Sequence, residues 1–403
     1  MITTLVDTED RWQAQFDRWF APFSDAFQHR VRRTWAPLYV RGLIAPGDRK
    51  SVEPMVARVA PGENEQIHHF VATSRWDTAP IEEVLLDRAD ALVGGDNAFL
   101  IIDDTAVPKK GAHSVGVAHQ YCGALGKQAN CQSLVSVTLA RDDVPIPIAL
   151  RLYLPEAWAK DAARRAKTAV PDAIVFRPKW KIALEEIARI RKHGVTFATV
   201  LADAGYGACA EFRQGLSKMK LQWAVGVSPE QRVYPLSACS RMPRSAPVGR
   251  PRKRGVPTHA RRSAQDAIAR LSDDAWIRVS WRKGTKGPLG ALFAATRIRI
   301  ADGPEANDRI HLPGDPAWLV AERRSNGETK FYLTSHPANT SLDVLAAAIK
   351  ARWSCEQAHQ QMKEELGLDH FEGRSWHGLH HHAVLTMIAF AFLQHQRVTA
   401  KKA

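Results

Sequence analysis

The stretch Ala98-Phe99-Leu100-Ile101-Ile102-Asp103-Asp104-Thr105 decides how the chain is read. Its unbroken apolar, β-branched run marks a strand buried on both faces, as in the centre of an α/β sheet. The run ends in two carboxylates. Side chains alternate along a strand, so Asp103 and Asp104 point to opposite faces. Ligands of α/β sheets collect where strands end, because helix termini and chain curvature leave a crevice there. One aspartate in that position is more often a turn or N-cap residue. Its meaning depends on what the rest of the chain supplies.

Downstream, Gln132 to Ala140 reads as a strand, and Pro145 to Leu154 as another after the Arg141-Asp142-Asp143 turn. Trp180 to Lys192 reads as a helix. Val195 to Leu201 is a second buried strand, ending in Ala202-Asp203-Ala204-Gly205-Tyr206-Gly207. A helix over Cys209 to Lys218 and a strand over Trp223 to Val227 close this α/β block. Upstream, residues 9 to 95 read as helical. Trp12, Phe16, Trp19, Phe20 and Phe23 recur at helical spacing. Pro37, Pro46-Gly47, Pro54 and Pro61-Gly62 punctuate the segment. Arg30, Arg32 and Arg33 beside the stripe suit a DNA-binding domain and suit a packing cap equally well.

After Ser228 the texture changes. Residues 241 to 262 hold eight Arg or Lys and no acid, among them Arg250, Arg252, Lys253 and Arg254. Gly and Pro interrupt them, so the segment reads as a basic loop, either solvated or in contact with phosphate. Strands follow at Ala275 to Arg282, Ala291 to Ile300, Trp318 to Arg323 and Lys330 to Thr334, an antiparallel β insertion. The expected division is a helical domain at 1–95, an α/β core at 96–228 and 336–397, and a β-rich insertion at 229–335. A helix over Leu342 to Leu366 is expected to bury Val344, Ala348, Ala351, Cys355, Ala358, Met362 and Leu366. Ile349, Arg352, Glu356 and Lys363 form a second stripe. A carboxylate between two cations at this spacing fits a metal ion over a phosphate backbone, and also a salt-bridged surface helix.

Composition narrows the choice. The chain has 403 residues and a net charge of +14, and such an excess of cations favours a polyanionic partner. Five dispersed cysteines without a C-x-x-C pair fit a reducing compartment and argue against a disulfide framework or zinc ribbon. Met1 to Asp10 has acids and no apolar core, unlike a signal peptide. The longest apolar run, Ala383 to Leu393, is short for a bilayer. A soluble, cytoplasmic protein is expected. His377-Gly378-Leu379-His380-His381-His382 has metal-ligand spacing but no Cys or carboxylate within it, which favours packing or phosphate contact. No Walker loop, G-x-S-x-G elbow or dinucleotide fingerprint is present.

Three carboxylates stand out by position: Asp104, Asp203 and Glu356. A crevice that gathered them would attract hard divalent cations, with Mg²⁺ favoured by carboxylate, water and phosphate oxygens. Here the chain resembles the DDE-type transposases of bacterial insertion sequences, in the group with a Tyr-x2-Arg-x3-Glu-x6-Lys signature helix. Asp104-Thr105 matches the first aspartate and its following threonine. Ala202-Asp203-Ala204-Gly205-Tyr206 matches the second. Arg352, Glu356 and Lys363 match the signature, with Ile349 in place of its tyrosine. Lys109-Lys110-Gly111, Gln120-Tyr121-Cys122-Gly123, Gly126-Lys127 and Gly373-Arg374-Ser375-Trp376 also resemble the DDE endonuclease subgroup. The resemblance spans about three quarters of the chain, from Phe99 to the last helix.

The resemblance implies an α/β, ribonuclease H-like core with an N-terminal helical domain and an antiparallel β insertion. It implies Asp104, Asp203 and Glu356 as ligands of two Mg²⁺ ions, with Mn²⁺ able to substitute. Double-stranded DNA would be cut at transposon ends and joined to target DNA, with a homodimer pairing two ends near the bacterial nucleoid. Arg352, Lys363, Arg250, Arg252, Lys253 and Arg254 would grip DNA. An insertion tryptophan (Trp276, Trp281 or Trp318) would stack on a flipped base or pack in a strand. Asp103 is the competing ligand to Asp104. The rival functions are a nuclease without strand transfer, a DNA-binding regulator without chemistry, and a zinc-dependent module using the histidines.

Overall fold

The computed structural model describes residues 2–242, 254–284, 287–307 and 310–402. The chain divides into two compact units, Met1–Phe197 with Trp353–Ala403, and Ala198–Arg352.

The first unit begins with helices α1 (Ile2–Ala26), α2 (Arg30–Ile44), α3 (Val52–Val59), α4 (Asn64–His68) and α5 (Ala79–Val93), with a π-turn over His69–Thr73. Pro37 lies inside α2, so it does not punctuate the segment as expected; Pro54 sits in the first turn of α3, where a missing N–H costs least. Strands β1 (Phe99–Pro108), β2 (Ala118–Cys122), β3 (Lys127–Arg141) and β4 (Val144–Leu152) follow, then helices α6 (Glu156–Lys160), α7 (Ala162–Lys167) and α8 (Lys179–His193). β3 pairs antiparallel with β1, β2 and β4. β1 does not end at its aspartates. It continues to Pro108, because β3 supplies partners from Ala140 opposite Phe99 to Cys131 opposite Pro108.

The second unit holds β5 (Thr199–Ala202), α9 (Ala204–Gly207), α10 (Ala210–Lys218), β6 (Gln222–Val227), β7 (Arg232–Pro235), β8 (Ser240–Arg241), β9 (Val256–Pro257), β10 (Arg262–Ser263), α11 (Ala264–Ile268), β11 (Ile277–Gly284), β12 (Gly287–Ile300), β13 (Glu305–Asn307), β14 (Ile310–His311), β15 (Pro316–Arg323), β16 (Thr329–Thr334) and α12 (Leu342–Ala351). β5 and β6 are parallel, and the sheet continues antiparallel through β16, β15, β12 and β7. This is the expected antiparallel insertion. The turn after β5 presses against β6: a Cβ on Gly207 would lie 1.9 Å from the Gly226 carbonyl oxygen. α12 is tied to β15 by Lys350, whose Nζ is 2.7 Å from Glu322 Oε1. Tyr332 donates to the other Glu322 oxygen at 2.8 Å.

The chain returns to the first unit with α13 (Trp353–Glu364) and α14 (Trp376–Lys402). The single helix expected over Leu342 to Leu366 is therefore two, interrupted at Arg352, whose angles stay helical (φ −57°, ψ −30°). The interruption shifts the buried stripe. Cys355, Ala358, Met362 and Leu366 are buried as expected, but in α12 the buried residues are Leu345, Ala346, Ala348 and Ile349, and Val344 is exposed. α14 carries the long apolar run into the core. Phe392 meets the rings of Trp12, Phe16 and Trp19 at 5.2 to 5.6 Å. No helix among the described residues is long and apolar enough to cross a membrane.

A buried ion network joins α5, β4 and α8. Arg151 Nη1 is 2.8 Å from Glu82 Oε1, and its Nε is 2.9 Å from Glu186 Oε1. Arg189 Nη2 reaches Glu186 Oε2 at 2.9 Å. Burial would raise the Glu82 pKa, but Arg151 and then Arg189 hold it below the ordinary glutamate value. Its contribution to stability is thus present above that ordinary value and lost as pH falls through the lower folded one. Replacing Arg151 by Ala removes the cation that bridges both carboxylates from β4 and leaves them to Arg189 alone, itself partly exposed. It should cost about 3–5 kcal/mol, read as a lower urea midpoint at neutral pH, with the loss shrinking in acid.

Candidate active site

Alternation along β1 sorts its two aspartates. Asp103 lies opposite Ser136 of β3, and Ile101 opposite Thr138, so these four side chains share one face. α13 covers that face. Cys355 and His359, one turn apart, are both buried against it. His359 Nε2 is 2.7 Å from Ser136 Oγ, and Thr138 Oγ1 donates to Cys355 Sγ at 3.4 Å. The ligand atoms of Asp103, Cys355 and His359 lie within 4.8 Å of one another, the one such trio among the described residues. Asp103 also accepts from the Asp104 amide at 2.8 Å. Glu356, next to Cys355 on the same helix, is exposed.

Asp104 faces the other way. Lys179, at the start of α8, places Nζ 2.5 Å from Asp104 Oδ2, and its ammonium lies 5.3 Å from the centre of the Tyr153 ring. On this face Ala106, Cys122 and Cys131 form a small buried cluster. Burial, then the neighbouring Cys122, pushes the Cys131 thiol up to about 11. Lys363, the last signature residue, is half-buried in α13; burial lowers its pKa and Asp369 opposes the shift. Lys109 donates to the Phe371 carbonyl at 2.6 Å, with its pKa also lowered by burial.

Asp203 belongs to the second unit. It follows β5 directly and caps α9, accepting from the Tyr206 amide at 3.1 Å. Arg352 ends α12 in the same unit. Ile349, where the family's tyrosine stands, is buried. Arg254 is exposed, with Nη1 3.9 Å from Glu305 Oε2. Arg250, Arg252 and Lys253 lie outside the described residues.

Two donor sets therefore differ in chemistry. Asp104 offers hard oxygen to solvent, which suits Mg²⁺. Asp103, Cys355 and His359 offer oxygen, sulfur and nitrogen, a mixture that suits softer ions, but the His359 nitrogen is already taken by Ser136. The C-terminal histidines form no metal site. His380 Nδ1 faces the Trp376 carbonyl, and both His381 nitrogens face the carbonyls of Val71 and Trp76. His382 lies between Tyr39 and the Gly367 carbonyl. Burial pushes all three down to about 4. The candidate tryptophans are half-buried, each with a cation over its ring: Arg323 over Trp276, Lys350 over Trp281 and Arg297 over Trp318. Sequence reading passed over Lys179, Ser136 and His359. Strand register brings Ser136, the phase of α13 brings His359 and the start of α8 brings Lys179 to the aspartates.

Three antiparallel strands, β1, β3 and β4, followed in the chain by the parallel pair β5 and β6, are the strand series of a ribonuclease H-like α/β core. The model of the DDE superfamily endonuclease family matches residues 22–288, and the chain belongs to that family. Among its relatives is the "Probable transposase for insertion sequence element IS701" of Microchaete diplosiphon, 30% identical over 188 residues, 46% of each chain. The chain thus spans about half the length of the curated relative it matches. Among solved structures it is similar to a piggyBac transposase synaptic complex with hairpin DNA (TM-score 0.45, 9% identity, 93% of this chain and 67% of that one). It is also similar to a Drosophila P element transposase strand transfer complex (TM-score 0.18, 10% identity, 46% and 36%).

His359 and Glu356 should respond differently to substitution. His359→Ala strands the buried Ser136 and empties space beside Asp103, a loss of about 1–3 kcal/mol. Glu356→Gln on the exposed side should stay within about 0.5 kcal/mol. Thermal unfolding of the two variants checks the contrast.

Proposed function

We propose that this protein is a DNA transposase, cutting phosphodiester bonds at the ends of an insertion sequence and joining those ends to target DNA. The observation that carries the reading is membership of the DDE endonuclease family by a chain that keeps Asp104 in β1, Asp203 just after β5 and the Arg352, Glu356 and Lys363 signature. The charge of +14 supplies attraction to a polyanion, and the relative named above is described as a transposase.

In this reading Asp104, Asp203 and Glu356 are the catalytic carboxylates and hold two Mg²⁺ ions, with Mn²⁺ able to replace them. Divalent ions in such a site activate the attacking oxygen and neutralise the leaving one. The protein's own groups then orient the scissile phosphate. Arg352 and Lys363 draw phosphate oxygens by charge-assisted hydrogen bonds. The half-exposed Asp104 is open to phosphate and to a hydrated cation, whereas Asp103 is buried; Lys179 occupies the place beside Asp104 where positive charge is wanted. Residues 1–95 form a DNA-binding helical domain, 96–228 with 336–397 the catalytic core, and 229–335 an insertion whose basic loop, with Arg250, Arg252, Lys253 and Arg254, tracks the backbone. Two copies pair two ends, and the protein acts in the cytoplasm on nucleoid DNA.

A second reading of β1 has one observation behind it: Asp103, not Asp104, shares its face with the helix of Glu356. One assay separates the two. Supercoiled DNA carrying the ends of the element is incubated with Mg²⁺ and scored for nicks and joined products. Asp104→Asn, Asp203→Asn and Glu356→Gln should each lower nicking at least about 100-fold, as expected for loss of transition-state stabilisation, while DNA binding persists. Asp103→Asn should keep nicking within a few-fold. The reverse result for the two β1 residues moves the ligand to Asp103. Nicks without joined products leave a nuclease, and binding without nicks leaves a regulator.

A further inference from the structure

The β2–β3 hairpin extends the sheet beyond the end of β1, and the catalytic reading makes no use of it. Its register places His119 opposite Asn130 and Tyr121 opposite Gln128. Cross-strand partners share a face, so these four side chains form one side of a two-stranded ribbon. That side is exposed at His119, Tyr121 and Gln128 and half-buried at Asn130. Tyr121 is 64% exposed. The opposite side carries Cys122 and Cys131, both buried on Ala106. Gln120 ties the strands together by donating to the Cys131 carbonyl at 2.9 Å. The tip is a short 3-10 turn, Gly123–Leu125, closed by Gly126 at φ 62°. One face is thus anchored and the other presented.

The presented face bears no carboxylate. None occurs anywhere from Thr105 to Arg141, while Lys109, Lys110, Lys127 and Arg141 do. Two amides, an imidazole and a phenol on a cationic ribbon are the groups that hydrogen-bond to base edges and lie on bases, with lysines left for phosphate. The size also fits: strands about 4.8 Å apart make a ribbon that a major groove roughly 12 Å wide admits.

We propose that the β2–β3 hairpin enters the major groove of double-stranded DNA and reads sequence there through Tyr121, Gln128, His119 and Asn130. The inference rests on DNA as the partner proposed above, and adds which element recognises it. Amides pair bidentately with adenine N6 and N7, so the ribbon prefers adenine at the positions it reads. Lys127 contributes charge without sequence.

The test is selection of duplexes from a library with a randomised central segment, followed by titration of the enriched duplex and a scrambled one. The wild-type protein should enrich a motif with fixed A·T pairs. Gln128→Ala and Tyr121→Ala should each lower the preference for that motif over scrambled DNA by roughly 10-fold, the order of one lost base contact, with scrambled binding unchanged. Lys127→Ala should weaken both duplexes alike. Gln128→Glu, whose carboxylate accepts from cytosine N4, should move the preference at one position from adenine to cytosine. Unaltered discrimination in Gln128→Ala and Tyr121→Ala would overturn the proposal, as would wild-type binding to DNA that enriches no motif. In those cases the nicking assay still decides the catalytic reading. A wild-type protein that binds no DNA defeats both.

Discussion

Strand β3 holds the first unit together, because fifteen consecutive residues pair on it with three different strands. Its middle and C-terminal part pairs with β1 and β4, and its N-terminal part with β2. The length of β3 keeps β1 extended through Asp103 and Asp104, where the loss of apolar residues would otherwise suggest a strand end. A side chain in a paired strand cannot turn toward whichever neighbour suits it. Asp103 is committed to the face of α13 and Asp104 to the face of Lys179. The chemistry of the candidate site is decided by that commitment before any individual contact is considered.

Much of the architecture was legible because the signals were long and periodic. The strand over Phe99, the strand before Asp203, the antiparallel insertion and the aromatic stripe of α1 all stand where apolar spacing puts them. Boundaries that depend on partners were not legible. Nothing in Ile102-Asp103-Asp104-Thr105 announces that pairing continues to Pro108, since the reason lies in β3. The interruption at Arg352 has no Gly or Pro to mark it, and it turns the buried side of α12 by one residue, so that Ile349 is buried and Val344 exposed. Periodicity carried across an unseen break gives the wrong phase on one side of it.

Of the candidate site, the sequence conveys which residues to consider and not their surroundings. Asp104, Asp203 and Glu356 emerge from position and from the family signature. What spacing cannot convey is the company each keeps: Lys179 beside Asp104, the Tyr206 amide on Asp203, and Ser136 and His359 beside Asp103. The histidine cluster is the converse case. Its spacing suits a metal, yet its ring nitrogens face carbonyls and a tyrosine hydroxyl contributed by α2, the π-turn and the segments around Trp76 and Gly367. Those partners are distant in sequence, so only the fold discloses that the ligands are already used.

Two adjacent carboxylates on one strand meet two environments, and the difference has a physical consequence. A buried carboxylate needs hydrogen-bond donors or a cation to remain charged, and Asp103 has the Asp104 amide and lies beside His359. A half-exposed carboxylate keeps water at little cost, and Asp104 is half-exposed beside the Lys179 ammonium. The same division appears in the β2–β3 hairpin, where Cys122 and Cys131 are buried while Tyr121 and Gln128 stand free of the core. In both places strand alternation gives one backbone a fixed face and a presenting face. Strand pairing fixes the backbone, so the same few residues can hold the core on one side and present polar groups on the other.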